Sequence, residues 1–214
     1  MTGNLRDFDP EFAWTYELSL RSRWLDDTLT VNANAYFTDW QDQQIAVQQA
    51  NPLDFLTENA GTSRLFGGEI DVTFFPTDDV SLFASFGYAN TAFTDFFLND
   101  VQQRGNEFPF ASKYTAAFGG AYFFYRDAFI SADASYQSSA FSDVQNTPSL
   151  KLDSRFLVNA SLGYEAERWS LTAYVSNLFD NDYVTSVQDP NLGRQGFISA
   201  GGPRTFGLIG QFNF

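Results

Sequence analysis

The chain has no cysteine and no histidine, and its 12 lysines and arginines stand against 26 aspartates and glutamates, a net charge of −14 over 214 residues. Without cysteine there are no disulfides, no thiolate chemistry and no cysteine-built zinc site. Without histidine the commonest general base and the commonest transition-metal ligand are missing, and no Ser/His/Asp triad can form. The acidic balance argues against nucleic acid, whose binding depends on Lys and Arg. No apolar run reaches the roughly 18 residues that a membrane helix requires. The nearest approach, residues 116–125, is about half that long and carries two glycines.

Aromatic residues are abundant. They make up 18% of the chain, and 25 residues are Phe, more than a soluble domain needs but suited to an apolar band with aromatic girdles. The last eleven residues alternate. Phe206, Leu208, Phe212 and Phe214 fall on one side, and Thr205, Gly207, Gln211 and Asn213 on the other, with Ile209 the exception. That is a period-2 strand with one apolar and one polar face. An edge strand of a soluble sandwich reads the same way over so short a stretch.

Similar alternation recurs about nine times along the sequence, which predicts an all-β, antiparallel, up-and-down sheet. Strands are expected near residues 12–23, 28–38 (continuing through Ile45 and Val47), 69–74, 80–88, 114–124, 128–137, 156–164, 169–176 and 204–214. The connections alternate in length. Short turns are expected at 25–27, 76–79, 126–127 and 165–168, and long loops at 48–63, 95–112, 141–151 and 180–202. Short turns at one end and long loops at the other is the pattern of an outer-membrane barrel. Since no membrane helix is available, a closed barrel is the remaining way to cross a bilayer with every backbone group paired.

Four segments then resemble TonB-dependent outer-membrane receptors. Residues 59–71, NAGTSRLFGGEID, with Asn59, Gly61, Gly68 and Glu69, are similar to one barrel strand of that family. Residues 87–93, GYANTAF, are similar to another. Residues 177–183, NLFDNDY, with Asn177, Leu178, Phe179, Asp180 and Tyr183, resemble its motif near the penultimate strand. Residues 201–207, GGPRTFG, with Pro203 and Arg204, resemble its entry into the last strand. Residues 106–112 resemble a loop of siderophore receptors, less its second Pro. The terminal Phe214 matches the residue that serves such barrels as a signal to the barrel-assembly machinery.

The resemblance implies a portion of a 22-stranded transmembrane β-barrel, about nine strands, in the Gram-negative outer membrane. Residues 1–214 are expected to be the carboxy-terminal part of that barrel, a single incomplete domain. The amino terminus shows no secretory signal, and neither plug domain nor TonB box is read in the chain, so its natural start is expected to lie upstream. The implied partners are outer-membrane lipid, the assembly machinery, a plug domain and through it TonB, and an extracellular metal chelate such as a ferric siderophore. No nucleic acid, resident cofactor or enzymatic activity is expected. A complete small barrel acting as a passive pore or scaffold is the alternative.

Candidate ligand-binding residues are Arg194, Arg204, Phe108 and Phe110, on the long loops. Either arginine could instead pair with a wall carboxylate, and the loop phenylalanines, with Phe96 and Phe97, could instead girdle the interface. Asp180 and Asp182 are too few oxygens for a Ca²⁺ cage, and the Asp26–Asp27 and Asp78–Asp79 pairs read as solvated turns.

Overall fold

The computed structural model describes residues 8–48, 55–98, 100–125, 127–187 and 198–213. Nine strands form one antiparallel sheet in sequence order: β1 (Phe12–Trp24), β2 (Leu29–Gln48), β3 (Phe55–Thr77), β4 (Val80–Asp95), β5 (Tyr114–Phe124), β6 (Ala128–Gln137), β7 (Arg155–Glu165), β8 (Trp169–Ser176) and β9 (Thr205–Phe212). Each strand pairs only with its sequence neighbours, and no pairing joins β1 to β9 among the described residues. The described residues contain no α-helix and a single 3₁₀ turn, Pro148–Leu150.

The registers carry apolar side chains across the whole sheet. Leu20 lies opposite Ala33, Ala33 opposite Ile70, and Ile70 opposite Phe86. Phe86 continues to Ala116, Ala116 to Tyr136, and Tyr136 to Phe156. Because the side-chain period is 2, every such step keeps its residues on one face. The face is not covered by protein: Leu18 is 78% exposed, and Leu208 74%. Two exposed apolar layers packed against each other, as in a sandwich, are therefore absent among the described residues.

A second walk shows the tilt. Leu29 pairs with Phe74, then Leu82, Gly120, Ala132, Ala160, Val175 and Phe206. It begins beside the β1–β2 turn and ends at the opposite rim, one residue from the end of β8. Such a stagger is the shear of strands inclined to a barrel axis.

Aromatic rings gather toward both strand ends. Trp24, Tyr122, Phe124, Tyr164, Trp169 and Phe212 lie near the short turns, and Tyr88, Tyr114, Tyr136 and Phe156 near the long connections. Tyr164 stacks on Trp169 at 5.4 Å and Tyr88 meets Tyr114 at 5.4 Å. Amphipathic rings at two levels with aliphatic residues between them fit the two interfaces of a bilayer.

The expected long loops are corrected by the structure. The stretch 48–63 is mostly strand: β2 runs to Gln48 and β3 starts at Phe55, with Gln43 through Gln48 paired to Ala60 through Phe55. At about 3.3 Å per residue, the 23 residues of β3 reach, even when inclined by about 45°, about twice the height of the apolar band of about 25 Å. Only 66–74 of β3 joins the apolar ladder; beyond it come Arg64, Ser63, Thr62 and Asn59. The hairpin therefore projects past the band, and β2 continues through Ile45 and Val47 as expected, with β3 pairing to it where the sequence suggested a loop. The long loops after β4, β6 and β8 also carry short strands: Phe97–Leu98 with Val101–Gln102, Ala140–Phe141 with Lys151–Leu152, and Val184–Val187 with Ile198–Ala200. The short turns near 25–27 and 165–168 are as expected; Pro76 and Thr77 extend β3 and leave Asp78 and Asp79 as the turn, and of the turn expected at 126–127 Arg126 lies outside the described residues.

Candidate functional site

The face opposite the apolar ladder is polar and internally bonded. Thr15 and Thr38 hydroxyls meet at 2.9 Å, Ser131 and Ser161 at 2.6 Å, and Asn159 donates to Asp133 at 2.8 Å. Glu17, Arg21, Asn32, Asn34, Glu69 and Asp71 line one open patch of it. The Asn34 carboxamide ties β2 to β3: its Oδ1 accepts the Glu69 N–H at 3.0 Å and its Nδ2 donates to the Glu69 carboxylate at 3.4 Å. Aromatic rings on this face lie over glycines. Tyr36 covers Gly67, Phe129 covers Gly163 and Tyr174 covers Gly207, so that a Cβ at any of the three would strike the ring. Gly68, on the other face, is needed for a different reason: a Cβ there would sit 2.8 Å from the Asn34 carbonyl oxygen.

At the long-connection end the loops build their own core. Phe93, Phe96, Leu98 and Val144 are buried together, with Ile45 and Phe108 packed against them. Phe93 meets Phe96 at 5.1 Å and Phe108 at 5.0 Å. Two asparagines lock the loop after β4 to the loop after β6. Asn106 Nδ2 donates to the Val144 carbonyl at 3.0 Å. Asn146 accepts the Glu107 N–H at 2.7 Å and returns a bond to the Glu107 carbonyl at 2.9 Å. Asn146 stands at φ 52°, a left-handed conformation that asparagine tolerates better than most residues.

The segments 177–183 and 201–204 form one clasp. Asn177 is buried at φ 52°. Its side chain accepts the Asn181 N–H at 2.9 Å and donates to the carbonyls of Asn181 and Gly202. The Asp180 carboxylate accepts the Arg204 N–H at 3.0 Å and pairs with the Arg204 guanidinium at 3.3 Å. Leu178 N–H bonds to the Val158 carbonyl at 2.7 Å, while Phe179 is exposed. The Tyr183 ring lies over Gly201, and its hydroxyl accepts the Gly202 N–H at 3.3 Å. Pro203 is exposed between these contacts.

The expected site residues thus fall in different places. Arg204 is held by Asp180, so its charge is balanced within the clasp. Phe108 belongs to the loop core. Phe110, half exposed at φ 60°, borders an open pocket shared with Gln137, Leu152, Arg155, Val184 and Thr185. Asn59 bonds to the carbonyls of Asp9 and Asp42 at 2.9 and 2.7 Å, and Gly61 lies where a Cβ would strike the Asp95 carbonyl. Arg194 and Phe214 lie outside the described residues.

Arg155, not singled out by the sequence for binding, stands in that pocket. Its Nη2 donates to the Gln137 side-chain oxygen, and its guanidinium lies 5.3 Å over the Tyr183 ring. Gln137 donates onward to the Ser112 hydroxyl at 2.8 Å, which donates to the Ser138 carbonyl at 2.9 Å. The sequence signal available was position: an arginine opening a strand at the long-connection end.

The β-barrel model of the TonB-dependent receptor-like family matches residues 1–178. The catecholate siderophore receptor Fiu of Escherichia coli K12 is 28% identical over 221 aligned residues, covering all of this chain and 27% of that protein. The solved closed form of Fiu from E. coli K12 superposes with a TM-score of 0.75 at 26% identity over 97% of this chain and 28% of that one. The ferric yersiniabactin uptake receptor FyuA of Yersinia pestis gives 0.80 at 22% identity over 97% and 30%, a likeness of fold. The chain spans about a quarter of the length of the curated relatives it matches, 27%.

Proposed function

The chain belongs to the TonB-dependent receptor family, in its β-barrel portion, a family of receptors and transporters rather than enzymes, and on that footing we propose that residues 1–214 are the carboxy-terminal wall of an outer-membrane receptor for a metal chelate. One observation carries the reading most: a single apolar ladder crosses all nine strands uncovered, while the opposite face is polar and hydrogen-bonded. Lipid covers the first face, and a water-filled or plug-filled lumen the second. The short turns then face the periplasm and the loop cluster faces the medium, where a ligand arrives.

The edges of β1 and β9 pair with further strands of the same receptor, since an open edge in the bilayer leaves backbone groups unsatisfied. The wall's role in transport is passive: loops and lumen bind the chelate, and a plug coupled to TonB admits it. A ferric siderophore is the substrate class, by the likeness to Fiu. The test is uptake of radioiron, supplied as a ferric catecholate, by cells producing the full-length receptor that carries this sequence. Uptake that requires both the receptor and TonB supports the reading. Uptake indifferent to the receptor, or a receptor recovered from the soluble fraction, counts against it.

A further inference from the structure

We propose that the connections after β4 and β6 form one fixed sill on the polar side of the wall, which stays shut while the ligand passes beside it. The proposal rests on the receptor reading above and adds which part of the mouth does not move.

The loop core stands on the polar side of the sheet. In β3 the polar-face positions are odd: Glu69 and Asp71 line the open patch, and Ser63 keeps their parity. Ser63 is fully buried and lies opposite Phe93 of β4. Thr91, two residues before Phe93, is buried as well, and its hydroxyl accepts the Phe108 N–H at 2.9 Å. The β2–β3 hairpin joins from the same side. Ile45 has the parity of Ala33 and Phe37 on the apolar ladder, yet it packs against the loop core. The change of side falls at Asp42, at φ 52°, a left-handed residue that breaks strand alternation. Beyond it the Gln43 side chain accepts the Ser63 hydroxyl at 2.7 Å.

Backbone joins the two connections as well as side chains. The Phe110 N–H donates to the Phe141 carbonyl at 2.7 Å, in addition to the Asn106–Val144 and Asn146–Glu107 bonds. Within the connection after β4, the Gly105 N–H donates to the Phe93 carbonyl at 2.9 Å and the Phe93 N–H to the Asn106 carbonyl at 3.0 Å. Buried Gln103 donates to the Val101 carbonyl and accepts from Asn106, both at 2.9 Å. Within the connection after β6, the Asp143 carboxylate accepts the Thr147 N–H at 3.0 Å and the Thr147 hydroxyl at 2.6 Å. Elements that open when a ligand binds have few buried apolar contacts and water-exposed backbone bonds. This body is the reverse. Parting its halves would uncover Phe93, Phe96 and Val144 together and take the Val144 and Glu107 carbonyls from their donors. Packed interiors do not deform by degrees, so the sill is whole or broken, and the ligand's path lies beside it.

The test has two arms, both on the full-length receptor. In the first, amide exchange of the unaltered receptor in detergent is followed with and without saturating ferric tris(2,3-dihydroxybenzoate). The amides of Gly105, Glu107, Phe110 and Thr147, each a donor within the body, are expected to exchange at least about a hundredfold more slowly than in an unstructured chain, and to change by less than about threefold on saturation. Faster exchange without ligand, or a larger change with it, overturns the sill. In the second arm, Glu107→Cys and Asn146→Cys are combined in this cysteine-free chain and joined on whole cells by a short, reducible thiol linker. Uptake of radioiron, supplied as the same chelate, is measured before joining, after it and after release by reductant, with folding checked by heat-modifiable migration. The joined receptor should keep its uptake within about threefold, because a movement outside the ligand's path does not set the rate. A larger loss that reductant restores shows that the two connections must part, and overturns the sill while leaving the receptor reading intact. If the double variant does not fold, the exchange arm decides alone. A wild-type receptor that neither binds nor takes up the chelate overturns the receptor reading and the sill with it.

Discussion

Phe93 and Phe118 lie on adjacent strands of one sheet and live in opposite surroundings. Phe93, near the top of β4, is 1% exposed beneath Phe96 and Phe108. Phe118, in the middle of β5, is 54% exposed on the apolar ladder. The loop cluster stands in water and must bury its apolar surface within the chain, so it has a dry core. Among the described residues the wall has no protein over its apolar face, which on the proposed reading meets hydrocarbon. The same residue type is thus held by packing in one region and by its solvent in the other. Burial identifies the loop core, and exposure the wall.

The sharpest way to break that comparison is to truncate both rings. Phe93→Ala opens a cavity in a packed cluster and is expected to cost about 3–5 kcal/mol locally. Limited proteolysis should then cut the loop after β4 while the strands stay protected. Phe118→Ala, which exchanges ring–lipid contact for methyl–lipid contact, should leave the cleavage pattern as in wild type. Similar cleavage in both variants would mean that the two regions are not held differently.

Charge inverts the test. Phe118→Arg puts a guanidinium on the lipid face near the middle of the strand, with an expected cost of about 2–4 kcal/mol in folding from urea into lipid vesicles. Ser135→Arg, on the polar face of the next strand, should cost much less. Equal costs on the two faces would refute the assignment of lipid to one and water to the other.

The link between loops ranks next. Asn146→Ala removes both bonds to Glu107 and places alanine at positive φ. A loss of about 1–3 kcal/mol is expected, seen as faster amide exchange in 96–113 and 138–154 together. Exchange that rises in only one of the two would show that they do not move as one body.

Much of the wall was legible in the sequence because its side-chain period is a local property. Leu29, Val31, Ala33, Ala35 and Phe37 are spaced by two whatever they face, and the observed register keeps them together. The β2 side of the β2–β3 hairpin was legible through Ile45 and Val47, whereas its β3 side was not, since Asn59, Thr62 and Ser63 alternate with nothing apolar. The loop core was hidden for another reason. Phe93, Phe96, Leu98 and Phe108 come from β4 and the connection after it and Val144 from the loop after β6, and the side-chain bonds of Asn106 and Asn146 hold the two together. Arg155 reads as one more polar-face residue until Tyr183, distant in sequence, is seen beneath its guanidinium. Arg204 shows the converse: the sequence left it between a ligand contact and a carboxylate partner, and Asp180, in the same clasp, supplies the carboxylate.

That last pair gives the smallest expected effect. Both partners are substantially exposed, with side chains 41% and 50% accessible, and an exposed ion pair contributes about 1 kcal/mol or less. Arg204→Gln keeps the backbone N–H that bonds to Asp180, so the clasp should persist and urea stability in vesicles should change by no more than about 1 kcal/mol. Because Arg204 is already neutralised by Asp180, its removal should also leave the affinity for an anionic chelate nearly unchanged. If Arg204→Gln lowers that affinity by about tenfold or more, the scale of one charge-assisted contact, the Asp180 pairing gives way when ligand arrives, and the long-loop arginine belongs to the binding surface after all.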